Sequence, residues 1–212
     1  MVKFIIIRHG YSEGNREKCF SGQLDVGLDR SGIIQAKETA KYITDNFKVD
    51  SIYSSDLSRA LETVRPIAEA LSLEIVTKED LREVDVGIWQ GRTIEDVKKE
   101  YPDEFQFYKE NPGLHHFEGG ESYEILMKRA LNALKSIAED NNGKTVVIGT
   151  HGGVIRTIRA GLTNTPLEKI KDIPHVPNGS ITVIDYENGT ADFKMIGYSE
   201  FLSENVTEEG VK

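Results

Sequence analysis

The stretch Phe4–Asn15, FIIIRHGYSEGN, runs four apolar residues directly into Arg8, His9 and Gly10. The segment Val2–Ile7 lacks the alternation of a half-buried strand and is typical of a parallel strand that is buried on both faces. A strong cation and a titratable imidazole follow its end. Because ligands bind at the carboxyl ends of strands in open parallel sheets, the stretch predicts a central strand with a functional site at its end.

A second apolar strand has the same arrangement farther along the chain. TVVI at 145–148 is followed by GTHGG at 149–153, so His151 and Gly152 repeat the pair His9 and Gly10. One histidine before a glycine is common and is usually a polar loop residue. Two of them at equivalent strand ends favour a shared site, and glycine allows a ligand to approach the backbone closely.

Periodic patterns around these two strands predict an α/β fold. Apolar residues recur at helical spacing in the segments 33–47, 57–71, 122–137 and 154–162. Pro66 is expected to kink or split the second of these helices. Short strands are predicted at 51–53 and 74–77, and the turn Asn188-Gly189 predicts a hairpin over 180–196. Strands that alternate with helices indicate a mostly parallel sheet, to which the hairpin adds an antiparallel edge.

No linker divides the chain, so a single domain over 1–212 is expected. The segment 92–121 is polar, helical in its first half and rich in aromatic residues, and it is interpreted as an insertion or cap over the site. The polar residues 203–212 are predicted to fray.

Composition limits the kinds of partner. The 212 residues carry a net charge of −9, which argues against nucleic-acid or membrane partners. An anionic ligand held by a few local arginines is still compatible with this charge. Cys19 is the single cysteine, so no intramolecular disulfide can form. The chain lacks a long apolar span and a signal-peptide pattern, and a cytoplasmic location is the default expectation.

Two further charged residues join the strand-end pairs. Arg59 lies in SSDLSRA at 54–60, near the predicted start of a helix, and Glu83 lies in LREVDVGIWQG at 81–91. Guanidinium groups match phosphate oxygens, and a helix start adds unpaired N–H groups and a positive dipole end. With Arg8 and the two histidines, these residues predict an anion pocket in an acidic protein.

The motifs together resemble the histidine phosphatase superfamily, the phosphoglycerate mutase-like group. They occur in the family's order and span most of the chain: RHGYSEGN (8–15), FSGQLDVGLDRSG (20–32), SSDLSRALET (54–63), LREVDVGIWQG (81–91), THGG (150–153) and PNGS (177–180). The resemblance implies a three-layer α/β/α sandwich.

The resemblance also implies catalytic roles. His9 would attack phosphorus and form a phosphohistidine, and Glu83 would protonate the leaving group, with Arg8, Arg59 and His151 stabilising the transferred phosphoryl. The residues implied in phosphate binding are Arg8, Asn15, Ser21, Gly22, Arg59, His151 and Gly152. The side chains already supply cations, so neither a metal nor another cofactor is expected.

Physical chemistry adds two expectations about protonation. Histidine attacks only through an unprotonated nitrogen, and the neighbouring arginines should keep His9 neutral. A backbone carbonyl at the other ring nitrogen would fix the tautomer, although the sequence does not identify that carbonyl. A bound phosphate dianion favours the protonated carboxyl of Glu83, so kcat is expected to decline toward alkaline pH.

The motifs identify the family more narrowly than they identify the reaction. GGES at 119–122 resembles the broad-specificity phosphatase branch, and the segment 92–121 lacks the paired arginines of the mutases. We therefore favour hydrolysis of a small phosphorylated metabolite, because transfer to water is the simpler outcome of the intermediate, with inorganic phosphate as product. The aromatic residues of that segment would tolerate an apolar leaving group.

Three alternatives remain open at this level: a mutase, a phosphatase of a larger metabolite such as a cobalamin-precursor phosphate, and a non-catalytic phosphate-binding module. The proton donor argues against a pure binder. The oligomeric state is open, a homodimer included. Outside the motifs, surface or helix-edge positions are predicted for Arg82, Arg65, Arg156 and Arg159, and a structural role for His175.

Overall fold

The computed structural model describes residues 1–203, which form a six-stranded sheet flanked by helices. The strands are β1 (Val2–Arg8), β2 (Ser51–Ser54), β3 (Ile75–Thr77), β4 (Thr145–Thr150), β5 (Ile181–Glu187) and β6 (Thr190–Tyr198). The helices are α1 (Glu13–Arg16), α2 (Arg30–Asn46), α3 (Ser58–Leu71), α4 (Ile94–Glu100), α5 (Pro102–Glu110), α6 (Tyr123–Asp140) and α7 (Gly152–Leu162). Within these residues no helix combines the length and hydropathy that crossing a bilayer requires. The fraying was predicted for 203–212, and of these residues 204–212 lie outside the described part of the chain.

The strand order β3-β2-β4-β1-β5-β6 makes β1 and β4 neighbours. The ladders joining β3, β2, β4 and β1 are parallel, whereas β5 is antiparallel to both β1 and β6. The predicted mostly parallel sheet with an antiparallel edge is confirmed. Arg8 pairs with Thr150 in the β1–β4 register, so the next residues, His9 and His151, emerge side by side at the carboxyl edge.

Successive side chains of β1 belong to two separate hydrophobic cores. Phe4 and Ile6 belong to the apolar cluster that includes residues of α6 and α7, and Ile5 and Ile7 belong to the cluster beneath α2 and α3. All four side chains are at most 1% exposed. Burying each one stabilises the fold by about 1.5–3 kcal/mol relative to exposure. Helices on both faces of the sheet confirm the three-layer architecture, and they hold the end of β1 rigidly.

Pro66 does not split its helix. The helix α3 continues from Ser58 to Leu71 with Pro66 inside it, so of the two expected effects, a kink or a split, the split is wrong. Val64 and Ile67, on either side of the proline, are both fully buried in the cluster beneath α2 and α3. Their burial outweighs the backbone hydrogen bond that proline removes.

The segment 92–121 packs on the same core as the sheet. Phe105 and Phe117 are buried in the cluster that contains Phe4 and Ile6. The segment is also joined to the loop after α1, because Phe20 N donates to Arg92 O at 2.9 Å; beside it, Gly91 N donates to Phe20 O at 2.9 Å. Its role as a cap within a single 1–212 domain stays a prediction.

Candidate active site

A cavity of about 160 Å³ opens at the carboxyl edge of the sheet, beside the end of β1. It brings together most residues that the sequence predicted as site residues: Arg8, His9, Asn15, Ser21, Gly22, Arg59 and Glu83. Gly152 lines an adjoining, larger cleft, and His151 lines neither space. Residues separated by up to 75 positions therefore converge on one cavity.

The ring of His9 has a defined tautomer. Its Nδ1 lies 2.8 Å from the carbonyl oxygen of Gly10, and a carbonyl can only accept a hydrogen bond. Nδ1 therefore carries the proton, and Nε2 keeps the lone pair. Burial lowers the pKa of His9 well below 6.5, the Arg59 and Arg8 guanidiniums lower it further, and the Gly10 carbonyl acts in the opposite direction.

Asn178 fixes the backbone around His9. Its Nδ2 donates to His9 O at 2.9 Å and lies 3.4 Å from Gly10 O and 3.3 Å from Asn15 Oδ1. The side chain is 2% exposed. The sequence marked Asn178 only as part of the PNGS motif. Its amide connects the backbone of His9, the carbonyl that orients the His9 ring and the wall of the cavity.

His151 lies behind His9 and is fully buried. The two ring centroids are 5.2 Å apart, and His151 Nε2 lies 2.9 Å from Ser55 Oγ. Its Nδ1 is buried without a hydrogen-bond partner among residues 1–203. Burial lowers the pKa of His151 well below 6.5, and Arg59 and His9 add to that effect. The ring is therefore neutral and holds one unsatisfied nitrogen close to the cavity; Ser55 was not singled out from the sequence.

Two guanidinium groups are ordered in the cavity wall. Arg59 is 1% exposed and donates from Nη1 to Leu24 O at 2.8 Å and from Nη2 to Gly22 O at 2.7 Å. Its burial lowers its pKa to about 10, which still leaves it charged at neutral pH. Arg8 donates from Nη1 to Val176 O at 2.7 Å. The cavity is therefore positive in a chain of net charge −9.

The loop that Arg59 holds requires glycine at position 22. Gly22 has φ +49°, and a Cβ there would lie 2.7 Å from both Gln90 Oε1 and Val86 Cγ2. Its carbonyl accepts from Arg59, so the backbone at this wall is constrained on both sides. Ser21 lines the cavity next to it.

Asn15 takes part in a capping box at the start of α1. Its Oδ1 accepts from Ser12 N at 3.0 Å, while Ser12 Oγ accepts from Asn15 N at 3.3 Å. With its oxygen engaged by backbone, the amide of Asn15 has a defined orientation in the cavity wall.

Glu83 also lines this cavity. Its Oε1 accepts from Val84 N at 2.9 Å, and its Oε2 accepts from Gly153 N, in the first turn of α7, at 3.0 Å. A Cβ at Gly153 would lie 2.3 Å from Glu83 Oε1, so only glycine allows this contact. The carboxyl group is thereby oriented by two backbone donors in the cavity that His9 also lines.

Arg129 on α6 holds the segment that carries Glu83, and it was missed in the sequence. It donates to the carbonyl oxygens of Asp80 at 2.9 Å, Arg82 at 2.6 Å and Glu83 at 2.8 Å. Its Nε and Nη2 each lie 2.8 Å from a carboxylate oxygen of Glu121. No motif marks an arginine in the middle of an amphipathic helix, so sequence reasoning had no signal for it.

Arg156 corrects one sequence prediction. It was expected at a surface or helix edge, yet it is 7% exposed, and its Nε donates to Ile170 O at 2.9 Å. Its Nη1 lies 3.0 Å from His175 Nε2, and His175 lines the cavity. The pKa of His175 is lowered to about 3 by desolvation and by Arg156, Arg8 and Arg159. The pair therefore belongs to the site's surroundings rather than to the outer surface.

The remaining walls are apolar or aromatic: Phe20, Val84, Val86, Tyr108 and Tyr123. Within residues 1–203 no three histidine, cysteine, aspartate or glutamate side chains are grouped so that they could hold a metal ion. The chemistry that the described residues offer is therefore that of an imidazole, a carboxyl group and fixed cations around an anion-sized space.

Known proteins are similar to this chain in sequence and in structure. A model of the histidine phosphatase superfamily (branch 1) matches residues 4–198. Phosphoglycerate mutase-like protein 4 of Arabidopsis thaliana is 36% identical over 178 residues, covering 80% of this chain and 75% of that protein. Phosphoserine phosphatase 1 of Hydrogenobacter thermophilus is 34% identical over 187 residues, covering 88% of both. The solved structure of Bacillus stearothermophilus YhfR superposes with a TM-score of 0.90 at 30% identity, covering 95% of this chain and 100% of that one.

Proposed function

The chain belongs to the histidine phosphatase superfamily, branch 1, and from this premise we propose that it hydrolyses small phosphomonoesters through a phosphohistidine on His9 without a metal ion. The family resemblance drawn from the motifs is confirmed, and the chain is a phosphoric monoester hydrolase of the histidine phosphatase type. The finer mechanism is carried by one observation. The unprotonated Nε2 of His9 belongs to a ring that shares a cavity with Arg8, Arg59 and Glu83.

In the first step Nε2 of His9 attacks phosphorus, the N–P bond forms and the P–O bond to the leaving alcohol breaks. The lone pair on Nε2 is available because Gly10 O holds the proton on Nδ1. The depressed pKa of His9 keeps the ring neutral before substrate binds. A backbone acceptor on Nδ1 also stabilises the positive charge that the imidazole acquires during attack.

The transferred phosphoryl needs charge stabilisation on its equatorial oxygens. Arg8 and Arg59 are fixed in the wall by backbone carbonyls, so little reorganisation is needed when a phosphate binds. The unsatisfied Nδ1 of His151 and the N-terminal end of α7 add polar groups at the same edge. These groups supply the positive potential that a divalent metal supplies in other phosphatases.

Glu83 completes both half-reactions. As an acid it gives its proton to the alkoxide that leaves; as a carboxylate it then accepts a proton from the water that attacks the phosphohistidine. The second step forms a P–O bond and breaks the N–P bond, which releases inorganic phosphate and restores His9. Its orientation by Val84 N and Gly153 N supports this role.

A mutase is the second candidate, since one relative is named a phosphoglycerate mutase-like protein. A mutase would return the phosphoryl group to a second hydroxyl instead of water. The segment 92–121 carries no adjacent arginines, and this favours hydrolysis.

The first experiment measures p-nitrophenyl phosphate turnover in the presence of EDTA for the wild type and for His9→Ala. The proposal expects metal-independent turnover that falls at least ~10³-fold in the variant, because nucleophilic catalysis is lost. Turnover that EDTA abolishes, or that survives in His9→Ala, would overturn it.

The second experiment separates phosphatase from mutase. 3-Phosphoglycerate is supplied with and without 2,3-bisphosphoglycerate, and both 2-phosphoglycerate and free phosphate are measured. Hydrolysis predicts that free phosphate dominates under both conditions. Accumulation of 2-phosphoglycerate faster than phosphate would identify a mutase.

A further inference from the structure

The carbonyl group that orients His9 belongs to the peptide bond between Gly10 and Tyr11. Its oxygen lies 2.8 Å from His9 Nδ1. The other polar group of this peptide bond is the N–H of Tyr11, which points in the opposite direction because a trans peptide is planar. Whatever holds the N–H of Tyr11 therefore also fixes the direction of the carbonyl that faces His9.

Gln35 of α2 holds this N–H. Tyr11 N donates to Gln35 Oε1 at 2.7 Å. A backbone N–H can only donate, so the oxygen of the carboxamide, rather than its nitrogen, faces Tyr11. Gln35 is 1% exposed, and the bond is therefore shielded from water. The side chain reaches Tyr11 across 24 positions of sequence.

Packing and backbone contacts fix the stem of Gln35. A Cβ at Gly179 would lie 3.1 Å from Gln35 Cβ, so the stem runs against the backbone of the loop 177–180. Thr39 Oγ1 lies 2.8 Å from both Gln35 O and Gly179 O. Gly179 N in turn donates to His9 O at 3.2 Å. The carboxamide of Gln35 is therefore presented from a support that also contacts the nucleophile.

Gly10 cannot fix the direction of its own carbonyl, because glycine has wide backbone freedom. Packing requires glycine here, since a Cβ would lie 2.7 Å from Gly32 O. The other contacts act mainly on the preceding peptide bond: Gly10 N donates to Thr63 Oγ1 at 2.9 Å, and Asn178 Nδ2 donates to His9 O at 2.9 Å. Asn178 Nδ2 lies farther from Gly10 O, at 3.4 Å. The direction of that carbonyl thus depends on the bond at the other end of its peptide.

We propose that Gln35 is a positioning residue that keeps the ring proton of His9 on Nδ1. Without an acceptor for the N–H of Tyr11, Gly10 would let the peptide bond rotate and turn its carbonyl away from Nδ1. The proton would then move to Nε2 in part of the molecules, and those rings have no lone pair with which to attack phosphorus. The inference adds a residue to the proposed reaction and therefore rests on that function. No motif in the sequence singles out Gln35.

The tautomer of His9 can be measured directly in the free protein. Long-range ¹H–¹⁵N correlation spectra of protein labelled with ¹⁵N-histidine distinguish protonated from unprotonated ring nitrogens. The His9 signals are those that are missing from the spectrum of His9→Ala. At pH 8 we expect a protonated Nδ1 and an unprotonated Nε2 in the wild type. A wild-type ring protonated on Nε2 would overturn the inference.

Gln35→Met removes the acceptor and keeps the length of the side chain. The two nitrogen signals of His9 should move toward each other, because part of the rings then carry the proton on Nε2. If about one ring in ten stays competent, kcat/KM for p-nitrophenyl phosphate falls about tenfold. The fall should be the same for alkyl phosphates, since both kinds of ester need the same nucleophile. A loss confined to alkyl phosphates would concern the proton donor and would contradict the inference.

Gln35→Glu is the conservative variant. It keeps an oxygen acceptor at the same reach, so the wild-type His9 signals should persist even where the added charge slows the reaction. Altered signals in this variant would show that the acceptor oxygen does not fix the ring. If Gln35→Met does not fold, Gln35→Asn takes its place, because its oxygen is one methylene short of Tyr11 N.

Asn141→Leu is the matched control. Asn141 carries another buried carboxamide, 2% exposed, whose Oδ1 accepts from Ser51 Oγ at 2.8 Å. Ser51 begins β2, so this group lies at the edge of the sheet opposite the cavity. The variant should unfold at a lower temperature, with the His9 spectrum and kcat/KM unchanged. Equal losses of kcat/KM in Gln35→Met and Asn141→Leu, with unchanged spectra, would assign Gln35 a structural role only and overturn the inference.

Failure of the proposed function gives a different result. If the wild type does not hydrolyse p-nitrophenyl phosphate, or if His9→Ala remains active, the proposed function fails. The His9 spectra of the wild type, Gln35→Met and Asn141→Leu then decide the inference alone, and identical spectra in all three overturn it.

Discussion

The Nδ1 atom of His9 lies 2.8 Å from the carbonyl oxygen of Gly10, and this contact assigns the ring proton to Nδ1. A neutral His9 with its Nε2 lone pair in the cavity is the state that the proposed reaction needs. Gly10 N in turn donates to Thr63 Oγ1 at 2.9 Å, so the residue that supplies the orienting carbonyl is itself held from α3. The nucleophile is thus prepared before any substrate arrives.

The first prediction concerns the acidic side of the pH–rate profile. Because burial and the Arg59 and Arg8 guanidiniums lower the pKa of His9 well below 6.5, the ring of the free protein does not gain its proton at the pH of an ordinary histidine. We expect kcat/KM, whose pH dependence reports ionisations of the free enzyme, to show no tenfold fall per pH unit that begins at 6.5. A steep fall that begins at 6.5 would contradict the assigned state. His116→Ala, which removes an exposed histidine outside the cavity, should match the wild type.

The second prediction concerns the proton donor. Glu83→Gln should lower kcat for alkyl phosphates about 10²–10⁴-fold, since their alkoxides need a proton. The loss with p-nitrophenyl phosphate should be much smaller, because nitrophenolate leaves without one. Glu79→Gln, a neighbouring exposed carboxylate, serves as the control. Equal losses on both kinds of ester would mean that Glu83 binds substrate rather than protonating the leaving group.

The third prediction tests Arg129 as a positioning residue. Arg129→Met removes three donors to the carbonyl oxygens of residues 80, 82 and 83. We expect kcat for alkyl phosphates to fall about tenfold, with a smaller fall for p-nitrophenyl phosphate and little change in KM. This is the pattern expected for Glu83→Gln, at a smaller magnitude.

Lys128→Met, on the exposed side of the same helix, controls for loss of a charge from α6. Arg129→Lys should recover part of the activity. A uniform loss on both kinds of ester, in step with the loss of folded protein in thermal unfolding, would assign Arg129 a structural role only.

The fourth prediction links stability to pH through His115. The ring is 3% exposed and stacks on Trp89 with centroids 5.2 Å apart. Burial, assisted by His116, lowers its pKa from 6.5 to about 4. Between these values the unfolded chain binds more protons than the folded one, so the free energy of unfolding decreases as pH falls through this window. The decrease from this residue should reach about 3 kcal/mol by pH 4.

The matching variant is His115→Phe, which keeps an aromatic ring against Trp89. Urea unfolding at pH 7 and at pH 4.5 should show a smaller pH-dependent loss in the variant than in the wild type. Glu104, whose Oε1 lies 3.5 Å from His115 Nε2, remains in both proteins and contributes its own titration. An unchanged pH dependence would show that His115 has the same pKa in the folded and the unfolded protein.

Much of this site could be predicted from local sequence. The apolar run before Arg8 and the second run before His151 each specify a buried strand, because only burial on both faces accommodates them. The residue after a strand is then placed by the sheet itself, so His9 and His151 were expected at one edge. Pro66 shows the limit of local reasoning, because packing on both sides of it outweighed its helix-breaking tendency.

The sequence by itself determined the fold class, the family and the residues at strand ends and in the motif loops. Only the tertiary structure decided which carbonyl orients His9, how Arg129 holds Glu83 from 46 residues away and how Asn178 reaches His9 across 169. It also brought Gln35 of α2 to the peptide bond that orients His9. The physical reason is that strand and helix periodicity are set by neighbouring residues, whereas a hydrogen bond between distant segments forms only where the packed core brings their atoms within about 3 Å.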